Sequence, residues 1–311
     1  MKLLVTGAEG FVGRHVVRRL AQEGYRIGAA CRPNGRTVDW GADVTVVPLE
    51  LTDDTSVRGA LEFGPDAVVH LAAVASNREA NADPGHAWTV NAAGTARLAE
   101  ALARRREEGR GDARLLLASS GEVYGPGGNA PRKESDPIAP ASPYAASKAG
   151  AELAALSVWR RTGLPVVIAR SFTHTGPGQE TRFVLPAFLE RLREAKATGA
   201  RAVRSGNLDP VRDLLDVRDV VEAYLLLLRS GRPGEIYNVA RGEGSSVREL
   251  FQQLARLVDV PAEPAIEPSL ARASDISHLV GDSTKLRRAT GWAPSRSLEQ
   301  TLRGLVDAEA Y

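Results

Sequence analysis

Two short runs in this sequence carry side chains that could move protons. In Tyr144-Ala145-Ala146-Ser147-Lys148, residues four apart share one face of a helix, so phenol and ammonium point the same way. A cation beside a phenol lowers its pKa from about 10 and lets it exchange a proton near neutrality. By itself the pair could equally be an ordinary surface face. The second run, Ser119-Ser120-Gly121-Glu122-Val123-Tyr124, follows an apolar stretch and puts polar side chains at its end. In open α/β sheets ligands bind at that carboxyl edge.

A third run supplies what such a site would work with. Gly7-Ala8-Glu9-Gly10-Phe11-Val12-Gly13 follows a short apolar run and opens a helical stretch. Its glycines let the backbone turn tightly and approach a pyrophosphate, whose charge rests on the helix amino terminus. The alternative is a simple tight turn. Folds that prefer NAD usually end the second strand in an acid that bonds the adenosine ribose hydroxyls. Here the strand ends Ala30-Cys31-Arg32, a neutral thiol and then an arginine suited to a 2′-phosphate. This favours NADP(H) and leaves NAD(H) open, with an ordinary surface arginine as the competing reading. Thr52-Asp53 reads either as a helix cap or as an adenine contact.

These runs need elements to hold them. Residues 3–6, 26–30, 44–48, 67–71, 114–118 and 165–169 are nearly continuous apolar runs, as expected of strands covered on both faces. Helical patterns separate them at 11–23, 55–62, 89–107 and 144–162. That alternation predicts an α/β fold with a Rossmann-like, doubly wound parallel sheet. Between 125 and 143 five prolines exclude helix and central strand, and long ordered loops of this kind usually carry function. After residue 170 helices dominate, with strands expected at 202–203 and 235–239. The expected division is a dinucleotide-binding domain over 1–170, taking in about 211–240, and a smaller, mostly helical, substrate-binding lobe over 171–210 and 241–311.

Composition excludes several classes. The chain has 311 residues, 43% hydrophobic and 25% charged, with a net charge of only +2, ordinary values for a globular protein with a large core. Cys31 is the only cysteine, so a disulfide framework is ruled out, and no Cys/His cluster offers a zinc site. A reducing cytoplasm fits that usage. The pI of about 8.8 comes from arginines scattered among acids. The densest cluster, Arg104-Arg105-Arg106, runs straight into Glu107-Glu108 and reads as a solvated helix end, not a nucleic-acid track. No apolar run approaches the ~18 residues of a membrane span, and the amino terminus lacks a signal peptide's apolar region. A soluble, cytoplasmic protein with neither nucleic-acid nor membrane partners is expected.

Together these residues resemble the extended short-chain dehydrogenase/reductases, the NAD-dependent epimerase/dehydratase family, which act on nucleotide sugars. The resemblance is carried by the glycine run, His70-Leu71-Ala72-Ala73, Asn91-Ala92-Ala93-Gly94-Thr95, the serine run, Tyr144 to Lys148, Val211-Arg212-Asp213, and residues 279–286 with Gly291-Trp292. It implies that Tyr144 is the general acid/base, that Lys148 holds the nicotinamide ribose and tunes Tyr144, and that Ser120 bonds the reacting sugar oxygen. It also implies a cofactor groove lined by Gly7, Gly10, Phe11, Val12, Gly13, Arg32, Leu51, Leu71, Ala72 and Ala73. Arg212 and Arg272 stand where relatives grip the substrate diphosphate, which a guanidinium pair suits; ion pairs with Asp213 and Asp275 are the competing reading. A homodimer through helices near 91–106 and 144–161 is implied as well.

The family framework serves reductases, epimerases and dehydratases alike. Glu122 stands where the dehydratases keep the carboxylate that removes a C5 proton, although reductases carry the acid too. The runs 170–179 and 206–213 are most similar to the reductases of GDP-linked 4-keto-6-deoxy-mannose, with Thr173 in place of the asparagine usual near the substrate. The expectation is NADPH-dependent reduction of the C4 ketone of a nucleotide-linked 4-keto-6-deoxy sugar, giving GDP-D-rhamnose. The alternatives are a 4-epimerase or 4,6-dehydratase with tightly held NAD, and a sensor that binds NADP(H) without catalysis.

Overall fold

The computed structural model describes residues 1–35, 38–41, 43–270 and 276–308. Its strands are β1 (Lys2–Thr6), β2 (Arg26–Cys31), β3 (Val44–Pro48), β4 (Ala67–His70), β5 (Arg114–Ser120), β6 (Val166–Ser171), β7 (Thr173–Thr175), β8 (Ala202–Ser205), β9 (Val211–Asp216), β10 (Ile236–Val239), β11 (Gly244–Ser246), β12 (Glu263–Ile266) and β13 (His278–Leu279). Helices α1 (Phe11–Gln22), α2 (Asp54–Leu61), α3 (Asn77–Ala82), α4 (Pro84–Trp88), α5 (Gly94–Glu107) and α6 (Pro143–Thr162) lie between the early strands. Helices α7 (Val184–Thr198), α8 (Val217–Ser230), α9 (Val247–Leu257), α10 (Thr284–Thr290) and α11 (Leu298–Asp307) follow.

Seven strands form one parallel sheet in the order β3-β2-β1-β4-β5-β6-β10. Side chains alternate between its faces: Leu3 and Val5 enter the layer with α1 and α8, while Leu4 enters the layer with α2, α5 and α6. Strand β4, Ala67–His70, is buried at every residue, which is why its apolar run is unbroken. Each fully buried valine or leucine contributes roughly 1.5–3 kcal/mol. The chain reverses direction across the sheet between β1 and β4, which opens a crevice at their carboxyl ends.

The remaining strands are short and were not all legible. Strand β9 pairs in parallel with β7 and β13 and antiparallel with β11, and β8 pairs with β12. Of these only β8 matches an expected strand. The others run two to six residues with Thr, Ser, Asp and Arg among them, and β12 contains Pro264, so propensity does not mark them. Beside them α7, α9 and α11 share a separate core, in which Phe188 meets Phe251 edge to face at 5.2 Å. The proline-rich loop after Gly125 is tied down by its backbone. Arg132 N donates to Val280 O, and Asp282 N and Asn238 Nδ2 both donate to Arg132 O, each at 2.8 Å.

Candidate active site

A cleft of about 1070 Å³ follows the carboxyl ends of β1, β4, β5 and β6. The glycine turn, Arg32, Leu51 and Leu71 to Ala73 line it toward β2 and β3. Ser120, Glu122, Tyr144 and Lys148 line it over β5, and Thr173 on β7 and Arg212 on β9 line its other side. Every described residue assigned from the sequence thus faces one space. Arg272 and Asp275 lie outside the described residues.

The glycine turn is shaped for close approach. Gly7 has φ +66°, and a Cβ there would stand 2.8 Å from Ala72 N; one on Gly13 would stand 2.2 Å from Gly7 O. Backbone therefore replaces side chain where β1 meets α1. Gly10 begins α1 without a side-chain cap, so the first-turn N–H groups face the cleft for an anion such as a pyrophosphate. His70 fixes the opposite wall: its Nδ1 pairs with Thr6 Oγ1 at 2.7 Å, and that oxygen accepts from Leu71 N and Ala72 N. Burial holds the His70 imidazole down to about 3, with the Lys148 charge adding to the effect, so it is a neutral structural strut. These features fit a dinucleotide.

Tyr144 and Lys148 sit on α6, which starts with a Ser142 cap on Ala145 N, has Pro143 in its first turn, and stops at Gly163 with φ +71°. Those are standard start and stop signals. Lys148 is 5% exposed, and its Nζ donates to Ala118 O. Burial pulls its pKa down to about 8, against the raising charge of Glu152. The Tyr144 phenol is not lowered, contrary to the sequence expectation. Burial pushes it well above the tyrosine range, the Glu122 carboxylate adds to that, and a hydrogen bond with Ser120 only partly reverses it. The ammonium is engaged at the end of β5, so in the free protein burial and the neighbouring carboxylate outweigh it.

Ser120 Oγ caps the turn Gly121–Tyr124 by accepting from Glu122 N at 3.2 Å, and its hydroxyl faces the Tyr144 phenol. Glu122 Oε2 accepts from Asn77 Nδ2 at 2.8 Å, so α3 aims that carboxylate. The expected single helix over 89–107 is instead a π-helical turn at Thr89–Ala93 followed by α5, with α4 leading into the turn. The π turn carries Asn91, which is 1% exposed. Asn91 Oδ1 accepts from Val74 N, and Nδ2 donates to Val74 O and to Ser147 Oγ, whose hydroxyl donates to Tyr144 O. One amide thus clamps the cleft wall to the tyrosine helix, a use to which π turns are often put. The motif around Asn91 is visible in the sequence, but the clamp is not.

At the other end Arg32 is exposed (76%), with its Nε 3.7 Å from Glu9 Oε1. Glu9 also lines the cleft and was missed, because an acid in a glycine turn reads as a surface residue. Asp53 caps α2 by accepting from Thr55 N at 2.8 Å, as the cap reading expects. Asp213 accepts from the backbone N–H groups of Arg241, Gly242 and Gly281, and so holds loops together beside the cleft. Arg212 donates to Val211 O and Ile276 O while lining the cleft.

This arrangement defines a class. The chain belongs to the NAD dependent epimerase/dehydratase family, whose pattern matches residues 3–240, and is an NAD(P)-dependent oxidoreductase of the extended short-chain type. It is 35% identical over 308 residues to the GDP-6-deoxy-D-mannose reductase of Pseudomonas aeruginosa, covering 98% of this chain and 96% of that one. It is 33% identical over 322 residues to the UDP-glucose 4-epimerase of Mycolicibacterium smegmatis, covering 99% and 98%. Among solved structures, RMD from Pseudomonas aeruginosa complexed with NADPH superposes with a TM-score of 0.83 at 34% identity, covering 98% and 97% of the chains. Among the described residues no helix is long and apolar enough to cross a membrane.

Proposed function

We propose that the protein reduces the C4 ketone of a nucleotide-linked 4-keto-6-deoxy sugar with NADPH, GDP-4-keto-6-deoxy-D-mannose being the substrate and GDP-D-rhamnose the product. The observation that carries this reading is the cleft that brings Ser120, Tyr144 and Lys148 together with Thr173 and Arg212, in a chain 35% identical to the GDP-6-deoxy-D-mannose reductase of Pseudomonas aeruginosa over nearly its whole length. A reduction needs a proton donor at the ketone oxygen, which the Tyr144 hydroxyl supplies. When bound, the nicotinamide supplies hydride. Tyr144 gives its proton to the oxygen that develops charge, and Ser120 donates a hydrogen bond to the same oxygen. Lys148, with one N–H on Ala118 O, has further donors for ribose hydroxyls. The glycine turn and the α1 amino terminus hold the pyrophosphate, Arg32 meets the 2′-phosphate, and Leu51 and Leu71 to Ala73 line the dinucleotide. Thr173 and Arg212 face the nucleotide sugar, with Arg212 and Arg272 on its diphosphate. Similarity to the Pseudomonas reductase over nearly the whole chain supports the assignment.

The test is oxidation of NADPH with that sugar nucleotide, the product's C4 configuration being read by NMR. Rapid oxidation to GDP-D-rhamnose is expected. No oxidation, with NAD released on denaturing the protein, favours a second reading. In that reading a 4-epimerase or 4,6-dehydratase retains its cofactor and Glu122 acts as a base; Glu122 does line the cleft near Tyr144. The protein should also pair with a second copy through α5 and α6, where Leu153 is 59% exposed; light scattering of a monomer would contradict that.

A further inference from the structure

We propose that Glu152 is a positioning residue for the reaction: from one turn beyond Lys148 it fastens α6 to β5 and β6 and supplies the buried counter-charge that keeps the Lys148 ammonium in the site. The inference rests on the reading that Lys148 serves the chemistry, but its first test observes the lysine itself, so an error in the sugar substrate leaves it standing.

Residues four apart on a helix are neighbours on one face, so Glu152 stands one turn beyond Lys148 on α6, as Tyr144 stands one turn before it. Its side chain is 3% exposed. Glu152 Oε1 accepts from Ser119 Oγ and from Arg170 Nε, the latter at 3.0 Å, and Oε2 accepts from Arg170 Nη2 at 2.7 Å. Ser119 precedes Ser120 on β5, and Arg170 lies on β6. A single carboxylate thus joins the helix that carries Tyr144 and Lys148 to the two strands beneath the cleft. Arg170 is buried as well. Its guanidinium lies 4.8 Å over the Tyr124 ring, and its Nη1 is buried without a hydrogen-bond partner.

Stability alone does not account for such a pair. Two buried charges lose their hydration, and apolar side chains of like volume often serve as well or better. What apolar side chains cannot supply is a negative charge beside Lys148. The ammonium donates to Ala118 O, a neutral acceptor. Around it His70 on β4 is neutral, and the phenols of Tyr144 on α6 and Tyr224 on α8 keep their protons, so none of them balances its charge. Glu122, in the turn after β5, is held by Asn77 and acts on the Tyr144 phenol. Glu152 is the charge that works against burial at Lys148, and Arg170 is what lets a carboxylate stand there buried.

The experiment is carbon-13 NMR of the full chain with its lysines labelled at Cε, titrated with base, alongside the pH profile of NADPH turnover. The chain has five lysines, and Lys148→Met assigns the signal. Lys148 should titrate near 8 in the parent. Glu152→Gln should lower that midpoint by about one pH unit, and the alkaline fall of turnover should move down with it. Arg170→Met breaks the same pair from its other side and leaves Glu152 facing Lys148, so both midpoints should move up. A merely structural pair would move them the same way in both variants or not at all. If Glu152→Gln does not fold, the double variant Glu152→Gln/Arg170→Met leaves no buried charge unpaired, and its Lys148 midpoint should still lie below the parent's. An unmoved midpoint on loss of Glu152, or a shift of the same sign in Arg170→Met, would overturn the proposal. A lysine midpoint that moves while turnover keeps its own would instead remove Lys148 from the chemistry, and the positioning role with it.

Discussion

Over β5, Lys148, Ser120 and Asn91 are 5%, 8% and 1% exposed and each is tied by hydrogen bonds to the sheet, to the turn after β5 or to α6. At the end of β2, Arg32 is 76% exposed and faces a carboxylate at 3.7 Å. The first region positions atoms through packing; the second presents charged side chains at the cleft mouth. Positions set by packing are intolerant of change, because a removed partner leaves a buried polar group unmet. Positions set by surface charge tolerate change in fold and respond to salt.

The comparison can be broken most directly at Tyr144. Tyr144→Phe should lower turnover by about 10²–10⁴-fold while NADPH affinity stays within about twofold; retained turnover would remove the tyrosine from the chemistry. Asn91→Ala should cost about 2 kcal/mol by leaving Val74 N and O without the amide, seen as a lower urea midpoint. It should also slow turnover through a loosened α6.

Lys148 gives a pH signature with a definite sign. Its folded pKa of about 8 lies below the ordinary 10.5, so between those values the unfolded chain binds more protons. Stability therefore rises with pH across that window, and the rise should vanish in Lys148→Met when urea unfolding is followed from pH 7 to 10. Turnover should move the other way, falling above pH 8 as the ammonium is lost. The smallest effect is expected at the mouth of the cleft. There Arg182 Nη1 meets Glu79 Oε1 at 2.6 Å with both side chains more than a third exposed. Arg182→Ala should change stability by less than about 0.5 kcal/mol, checked by thermal unfolding.

The same contrast explains what could be read from the residues alone. Strands β1, β2, β4, β5 and β6 were legible because both faces of the sheet are covered there, as in the fully buried β4; the edge strand β3 is mostly exposed and was legible from its run of β-branched residues. Strands such as Thr173–Thr175 and His278–Leu279 were not, since they exist through pairing with β9, far along the chain. Tyr144, Lys148, Ser120 and the glycine turn stood out by type and spacing. Asn77 and Glu9 did not, because their roles depend on Glu122 and Arg32, 45 and 23 residues away. The sign of the phenol's shift was misjudged for a similar reason: helix spacing placed Lys148 beside Tyr144 but could not show that the ammonium turns to Ala118 O.

The most direct test of the reductive reading is a single turnover with NADPH deuterated at the transferring position of its nicotinamide. The account predicts deuterium at C4 of the deoxy sugar in the wild-type reaction and none with Tyr144→Phe. Unlabelled product formed by wild-type enzyme without net consumption of NADPH would contradict it.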